Sequence, residues 1–276
     1  MKKLVCVLAM TAVVLGSVWA LGVDEPELQS TGSDGVQFEN YGGPYAIIET
    51  AAAITNIGTE LGRVVAADVN EPATVRPDGK YTLIHAVDSS TREKLDADIL
   101  VLNPNAGVDH IRNLRRIITG YLEAVYGYEG EDAETIATFV TIYNAVYRGK
   151  LSYFSDKYKD TVMQNLSAEK VGLSTVWSEW PGNTQIVIPL NDPQGGISSV
   201  DTTTITDKQV VEALRQEEGK GVETRENMAD IKEREAVSAT QKAQEAQRTA
   251  AEERSAAAAA PTREEAAAAA PRAEAA

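Results

Sequence analysis

The chain has 276 residues, 43% of them hydrophobic, which is enough for a real core in one or two domains. It carries 41 acidic against 26 basic residues, a formal net charge of −15. That balance disfavours a nucleic-acid partner, whose phosphates need a basic surface, and it disfavours loose adsorption to anionic lipid.

The first residues read as a secretory signal. Lys2 and Lys3 form a positive n-region, and Leu4 to Leu15 is an apolar run too short to span a bilayer. Gly16, Ser17, Val18 and Ala20 make the cleavage region, with cutting after Ala20 or after Gly22. The competing reading is an uncleaved N-terminal anchor. Residues 1–22 are taken as signal peptide and 23–35 as a polar, flexible leader. The single cysteine, Cys6, lies inside the apolar run and has the wrong neighbours for a lipoprotein box. The expected mature chain has no thiol, no disulfide and no transmembrane span. That suits an exported periplasmic or envelope-associated protein with an adequate core.

Val36-Gln37-Phe38-Glu39 alternates and predicts a short strand, followed by a turn at Asn40 to Pro44. Tyr45 to Val65 carries Ile47, Ile48, Ala51, Ile54, Ile57, Leu61 and Val65 at helical spacing, weakened by Gly58 and Gly62. Asp68 to Gly79 reads as a loop. Tyr81–Val87 and Ile99–Leu102 read as strands by alternation and β-branching. The stretch Val108 to Gly149 predicts two amphipathic helices that form the nucleus of the core. One buries Ile111, Leu114, Ile117, Ile118, Tyr121, Leu122 and Val125, with Asp109 as N-cap. The other buries Ile136, Phe139, Val140, Tyr143, Val146 and Tyr147. Between them, Gly127 to Asp132 holds two glycines and three acids, and the acids suit the dipole at the second helix's start.

Leu151 to Leu166 predicts a third helix with an aromatic stripe. Thr184 to Leu190 is the strongest buried strand, closed by a turn at Asp192 to Gly196. Residues 201–221 make a Thr-rich linker and a short helix, Asp207 to Gln216. From Glu223 to about Ser255 the chain is Ala, Glu, Gln, Lys and Arg without proline or glycine. Ala229, Ala236, Ala239, Ala243, Ala246 and Ala250 lie on alternating three- and four-residue steps, interrupted by Lys232. A thin coiled coil giving weak self-association and a single solvated helix held by charge pairs both remain open. Residues 256–276 repeat an Ala/Pro block and read as a disordered tail.

Chemistry-bearing motifs are scarce. The two histidines, His85 in a strand and His110 at a helix start, lack a second histidine at ligand spacing, so no metal and no cofactor is expected. There is no P-loop, no G-x-G-x-x-G and no G-x-S-x-G. A dispersed Ser-His-Asp arrangement stays open to sequence reasoning, and a hydrolase ranks last among the readings. Glu129, Glu131, Asp132 and Glu134 are better explained by the helix dipole than by a cation. Arg112, Arg115 and Arg116 cluster at the start of the first central helix, where bidentate geometry suits an anionic ligand. The plainer reading pairs them with Asp109, Glu123 or the acidic loop. Trp177 and Trp180, with nearby Tyr143, Tyr147, Tyr153 and Phe154, are candidates for a stacking groove. The plainer reading there is core, with Trp180-Pro181-Gly182 as the exposed part.

Four blocks carry a family resemblance: Asn113–Leu122 (NLRRIITGYL), Thr141–Phe154 (TIYNAVYRGKLSYF), Leu166–Leu190 (LSAEKVGLSTVWSEWPGNTQIVIPL) and Thr206–Leu214 (TDKQVVEAL). Together with the FENYGGPY turn at Phe38–Tyr45, they resemble the 83/100-kilodalton antigen family of spirochaetes over roughly Val36 to Leu214. The tail departs from the family, being short and Ala/Pro-rich where the family has a long Lys/Glu-rich helical region. The resemblance implies an exported, immunogenic protein with no defined enzymatic activity. The expected architecture is an α+β, helix-dominated globular domain over 36–200 with a few strands. An extended charged helix over 222–255 and the low-complexity tail follow it. The leading function is a non-enzymatic structural or interaction protein of the envelope, with an envelope or host protein as partner. The alternative is a peptidoglycan- or glycan-binding module.

Overall fold

The computed structural model describes residues 36–44, 49–91, 93–191, 199–214 and 221–259. The signal and leader segments, the Asp192–Gly196 turn and most of the Ala/Pro tail lie outside the described residues. Two compact units divide the chain, one up to Arg225 and one from Glu226.

The first unit is mixed helix and sheet, as the α+β reading expects. Helix α1 (Ala51–Val65) starts at Thr50, whose side chain accepts a hydrogen bond from Ala53 N. Strands β1 (Ala73–Val75), β2 (Tyr81–Ala86) and β3 (Asp96–Leu102) follow. Helices α2 (Ile111–Tyr126) and α3 (Gly130–Val146) are the predicted central pair. Short helices α4 (Leu151–Lys157) and α5 (Asp160–Met163) lead through a 3-10 turn (Trp177–Glu179) to β4 (Thr184–Asn191) and β5 (Ser199–Val200). Helices α6 (Thr202–Ile205) and α7 (Lys208–Leu214) close the unit. The strands form one antiparallel sheet in the order β1-β2-β3-β4-β5.

The core lies between this sheet and the helices. Leu61 of α1, Ile117, Ile118 and Tyr121 of α2, and Leu83, Leu100 and Ile188 of the sheet converge there. The predicted apolar faces of α2 and α3 are buried as the spacing required, Val125 only in part. Helix α3 is buried further than an amphipathic helix would be: Ala133, Thr135, Ala137, Thr141 and Asn144 are also covered. It packs against α2, α7 and β4, so few of its sides face water.

The most extensive helix pairing is α1 on α2. It depends on two glycines. A Cβ on Gly58 would stand 1.8 Å from Ile117 O, and one on Gly120 would stand 2.1 Å from Thr55 O. Only a missing side chain lets the two backbones approach that closely. Gly58, a weakness when α1 is judged alone, is the residue that allows its packing.

Several sequence expectations are corrected. Val36–Glu39 is not a strand of the sheet; Glu39 makes only an isolated bridge to Val176. The loop from Asp68 to Gly79 contains β1, paired to β2 with Ala73 opposite His85. The helix over Leu151–Leu166 breaks at Tyr158, which is extended (φ −108°, ψ 151°) and bridges Leu95. Lys159 N then bonds Leu95 O and leaves the helical path. The Thr-rich linker includes the helical turn α6, capped by Asp201 through Thr204 N. The N-cap of α2 is His110, not Asp109.

From Glu226 on, the second unit is occupied by helix α8 (Gly221–Ala259), whose long uninterrupted course matches the absence of proline and glycine between Gly221 and Pro261. Its alanines Ala236, Ala239, Ala243 and Ala246 are exposed, and Arg248 pairs with Glu252 one turn on at 2.9 Å. Among the described residues, no helix is long and apolar enough to cross a membrane.

Candidate functional site

Among the described residues, three groups of chemistry-bearing residues stand out, and one of them lines an open cavity. The first is a buried pair of ionic contacts in the sheet. His85 and Asp98 sit opposite each other on β2 and β3. His85 Nδ1 lies 2.5 Å from Asp98 Oδ1, and Nε2 lies 2.9 Å from Val69 O. Both ring nitrogens face acceptors, so both carry protons. Burial pulls the His85 pKa down, but the hydrogen bond to Asp98 and the Asp98 charge outweigh it, and the pKa is raised. Tyr126 donates to the other oxygen, Oδ2, of Asp98 at 2.6 Å. Nearby, Lys159 Nζ holds Asp96 Oδ2 at 2.7 Å and Asp88 O at 2.6 Å. All four ionic side chains are buried. With its second nitrogen on a carbonyl, His85 has no position left from which to activate a serine.

The second group is aromatic. Tyr147 and Tyr153 stack at 3.6 Å with their rings 8° apart, and both hydroxyls donate to Asp207 Oδ2. Burial, and then the hydrogen bond to Asp207, raise the Tyr147 pKa, so it stays protonated and donates. Tyr143 and Tyr158 share a 2.9 Å hydrogen bond beside Phe154. Tyr143, Tyr147, Phe154 and Tyr158 are core, and Tyr153 is half-buried against them. Trp180 is core as well, at 0% exposure, with Nε1 donating to Ser174 O at 2.7 Å. This corrects the expectation that Trp180 is the exposed part: its indole has the buried acceptor that such a large polar-tipped ring needs. Trp177 is half-buried and meets Tyr41 edge-on at 5.1 Å. The tryptophans and the tyrosine cluster therefore share no groove.

The third group is the arginine cluster, and it opens onto a cavity of about 730 Å³. Arg112, Arg115, Arg116 and Thr119 occupy positions i, i+3, i+4 and i+7 of α2, so they share one face. All four line the cavity, with Phe38 and Asn40 from the segment before α1 and with His110. Neither Trp177 nor Trp180 does.

Local chemistry holds this face in place. His110 is extended (φ −145°, ψ 135°), and its Nδ1 accepts from Arg112 N at 3.1 Å. Burial, and then the Arg112 charge, lower the His110 pKa, which keeps the ring neutral and Nδ1 able to accept. Asn40 Oδ1 accepts from Ile111 N at 2.7 Å, and Asn40 Nδ2 donates to Phe38 O. Asn40 thereby ties the leading segment to the helix start. Arg115 Nε donates to Thr141 Oγ1 at 2.9 Å, and its guanidinium lies 5.7 Å over the Phe38 ring. Arg116 Nη1 donates to Asn113 Oδ1 at 2.8 Å.

The expected pairing of these arginines with acids holds for neither Arg112 nor Arg116 among the described residues. Arg112 is exposed. The acidic residues Glu131 and Asp132 stand in the first turn of α3, where the dipole reading placed them. Among the described residues, the one acid that lines the cavity is Glu134, which is exposed.

Sequence reasoning singled out the three arginines and missed Thr119, His110 as the cap, and Asn40 and Phe38. The four-residue helical stripe was readable as R-x-x-R-R-x-x-T. The Asn40 and Phe38 contributions come from about 70 residues upstream and have no local signal. Among the described residues, no three His, Cys, Asp or Glu side chains converge as a metal would require.

No curated protein and no solved structure shows a significant match to the chain. A family described as Borrelia P83/100 protein matches residues 25–275, nearly the whole length. The four sequence blocks that resemble the spirochaete antigen, and the fold they build, all fall inside that match, and the chain belongs to the Borrelia P83/100 protein family.

Proposed function

We propose that this spirochaete antigen is a non-enzymatic binding protein of the cell envelope, and that its ligand enters the cavity on the arginine face of α2. The observation that carries this reading is the cavity itself. At about 730 Å³ it falls within the roughly 300–1,000 Å³ typical of small-ligand sites. Its cationic groups converge from one rigid helix, and the segment from Val36 to Asn40 supplies a further wall. Export by the signal segment at residues 1–22 would bring the chain to the envelope.

The test is retention on purified cell envelope. Full-length mature protein is expected to sediment with the envelope fraction, and the Arg112→Glu, Arg116→Glu double variant is expected to stay in the supernatant. Equal retention of both proteins would remove the cavity from the function.

The glycan-binding alternative narrows to the Tyr41–Trp177 pair, the aromatic contact that retains partial exposure away from the tyrosine cluster. On that reading, Trp177→Ala abolishes retention on peptidoglycan while the arginine variants keep it.

A further inference from the structure

We propose that the cavity on α2 is a site for a terminal phosphate carried on a small polar molecule, such as a phosphorylated sugar or polyol. This rests on the binding reading above and adds the ligand's chemistry.

Three guanidinium groups, on two adjacent turns, line one cavity. A carboxylate offers two oxygens, which a single arginine fork already satisfies. Several guanidinium groups together suit a group with three terminal oxygens and up to two charges, which is a phosphate monoester. The start of α2 adds the positive end of a 16-residue helix. Its first amides cannot bind the ligand directly. Ile111 N is held by Asn40, Arg112 N by His110, and Asn113 N by His110 O. Recognition therefore falls to side chains.

An independent observation points the same way. Thr119 lines the cavity and is only 6% exposed, yet among the described residues its buried Oγ1 has no hydrogen-bond partner. A buried hydroxyl left unpaired is costly and uncommon. It sits one turn beyond Arg115 and Arg116 on the same face, where a bound phosphate oxygen would accept its proton.

Charge also limits the size of the ligand. The chain as a whole has a net charge of −15, so an extended polyanion would be repelled outside the cavity, whereas a single phosphate reaches only the local cationic face. Glu134, exposed beside that face, disfavours further negative charge there. The Phe38 ring, Asn40 and Thr138 offer the rest of the ligand one apolar surface and neutral polar groups.

The experiment is calorimetric titration of the full-length mature protein with inorganic phosphate, glucose 6-phosphate and malonate, repeated on four variants. The expected result is saturable one-to-one binding of both phosphates, tighter than malonate. Arg112→Ala and Arg116→Ala should each weaken phosphate binding about tenfold or more, the scale of a lost charge-assisted hydrogen bond. Arg112→Lys should not restore it, because an ammonium keeps the charge but loses the fork. Thr119→Val should weaken binding several-fold while the melting temperature stays the same or rises, because the deleted hydroxyl has no partner in the protein. Absence of saturable phosphate binding, malonate binding as tightly as phosphate, or a Thr119→Val variant that binds as the parent does would each overturn the proposal. If phosphates fail to bind while envelope retention still depends on Arg112 and Arg116, the ligand class is wrong and the binding reading stands. If both fail, both readings fall.

Discussion

At the scale of single residues, the molecule spends its buried polar groups on holding the sheet. Asn144 shows how. It lies at 0% exposure on α3, and its side chain makes two 2.8 Å hydrogen bonds to β4, one from Val187 N to Oδ1 and one from Nδ2 to Val187 O. Strand β5 pairs only with Leu190 and Asn191, so it never reaches Val187. The asparagine amide stands in for the missing strand. Replacing it with leucine of similar volume leaves one buried donor and one buried acceptor unpaired, at about 1–3 kcal/mol each. Asn144→Leu is expected to lower unfolding free energy in urea by about 2–5 kcal/mol; a loss below about 1 kcal/mol would mean that water or another group replaces the amide.

His85 makes a second prediction at this scale. Its pKa is raised in the folded state above the ordinary value of 6.5. The contribution of the charged ring is therefore complete below the unfolded pKa and is lost as pH rises through the folded one. The melting temperature of the parent is expected to exceed that of His85→Gln most below the ordinary histidine pKa of 6.5, with the gap narrowing as pH rises through the raised folded value. A gap that does not change with pH would show that the ring is neutral and matters only by its shape.

At the scale of elements, the seam between α1 and α2 is set by backbone proximity. Gly58→Ala places a methyl carbon against the Ile117 carbonyl, and Gly120→Ala does the same against Thr55. Backbone cannot move aside as a flexible side chain can, so the helices must separate. Each change is expected to cost about 1–3 kcal/mol or slightly more by overpacking. Gly107→Ala is the control, since a Cβ there meets nothing within 4 Å. Thermal unfolding of the three variants side by side tests this; equal melting temperatures would contradict the close approach. On the other side of α2, Leu114 is at 0% and Phe139 of α3 at 1% exposure. Truncating either to alanine should cost about 2–5 kcal/mol, transfer and cavity terms combined. Either variant melting with the parent would remove that helix from the core.

At the scale of the whole molecule, the C-terminal helix raises a separate question. The side chains from Ala236 to Thr249 are exposed, and Val237 is 52% exposed. Removing residues 236–276 is expected to leave the melting temperature of the first unit unchanged, because little apolar area is withdrawn from burial, at about 25 cal/mol per Å². Unfolding followed at several concentrations tests this and the coiled-coil reading together. A melting temperature that rises with concentration only in the longer protein would establish self-association through the alanine seam. A truncated protein that aggregates would show that the segment takes part in the fold.

Local pattern determined the helices α2 and α3 and the long charged helix, because a helix satisfies its backbone within its own segment and shows its buried face at a fixed spacing; β2 and β4 were legible from β-branched and apolar runs, although their backbones are satisfied only by neighbouring strands. The family blocks overlap α2, α3 and β4, and also reach α4 and α7. Tertiary structure alone decided the rest. β1 is three residues long in a proline-bearing stretch, and only its register against β2 makes it a strand. The break at Tyr158 depends on Leu95, more than sixty residues earlier. Trp180 is buried because the Ser174 carbonyl meets its indole, although its Pro-Gly neighbours suggest exposure. The site divides in the same way. The arginines and Thr119 recur at helical spacing within one helix, so their shared face was implicit in the residue order. The cavity was not, because its other walls come from Phe38 and Asn40, and Asn40 reaches α2 only through a hydrogen bond across 71 residues. Local pattern reports on hydrogen bonds that a segment makes with itself; a cavity is made where distant segments fail to fill the space between them, and only packing determines that.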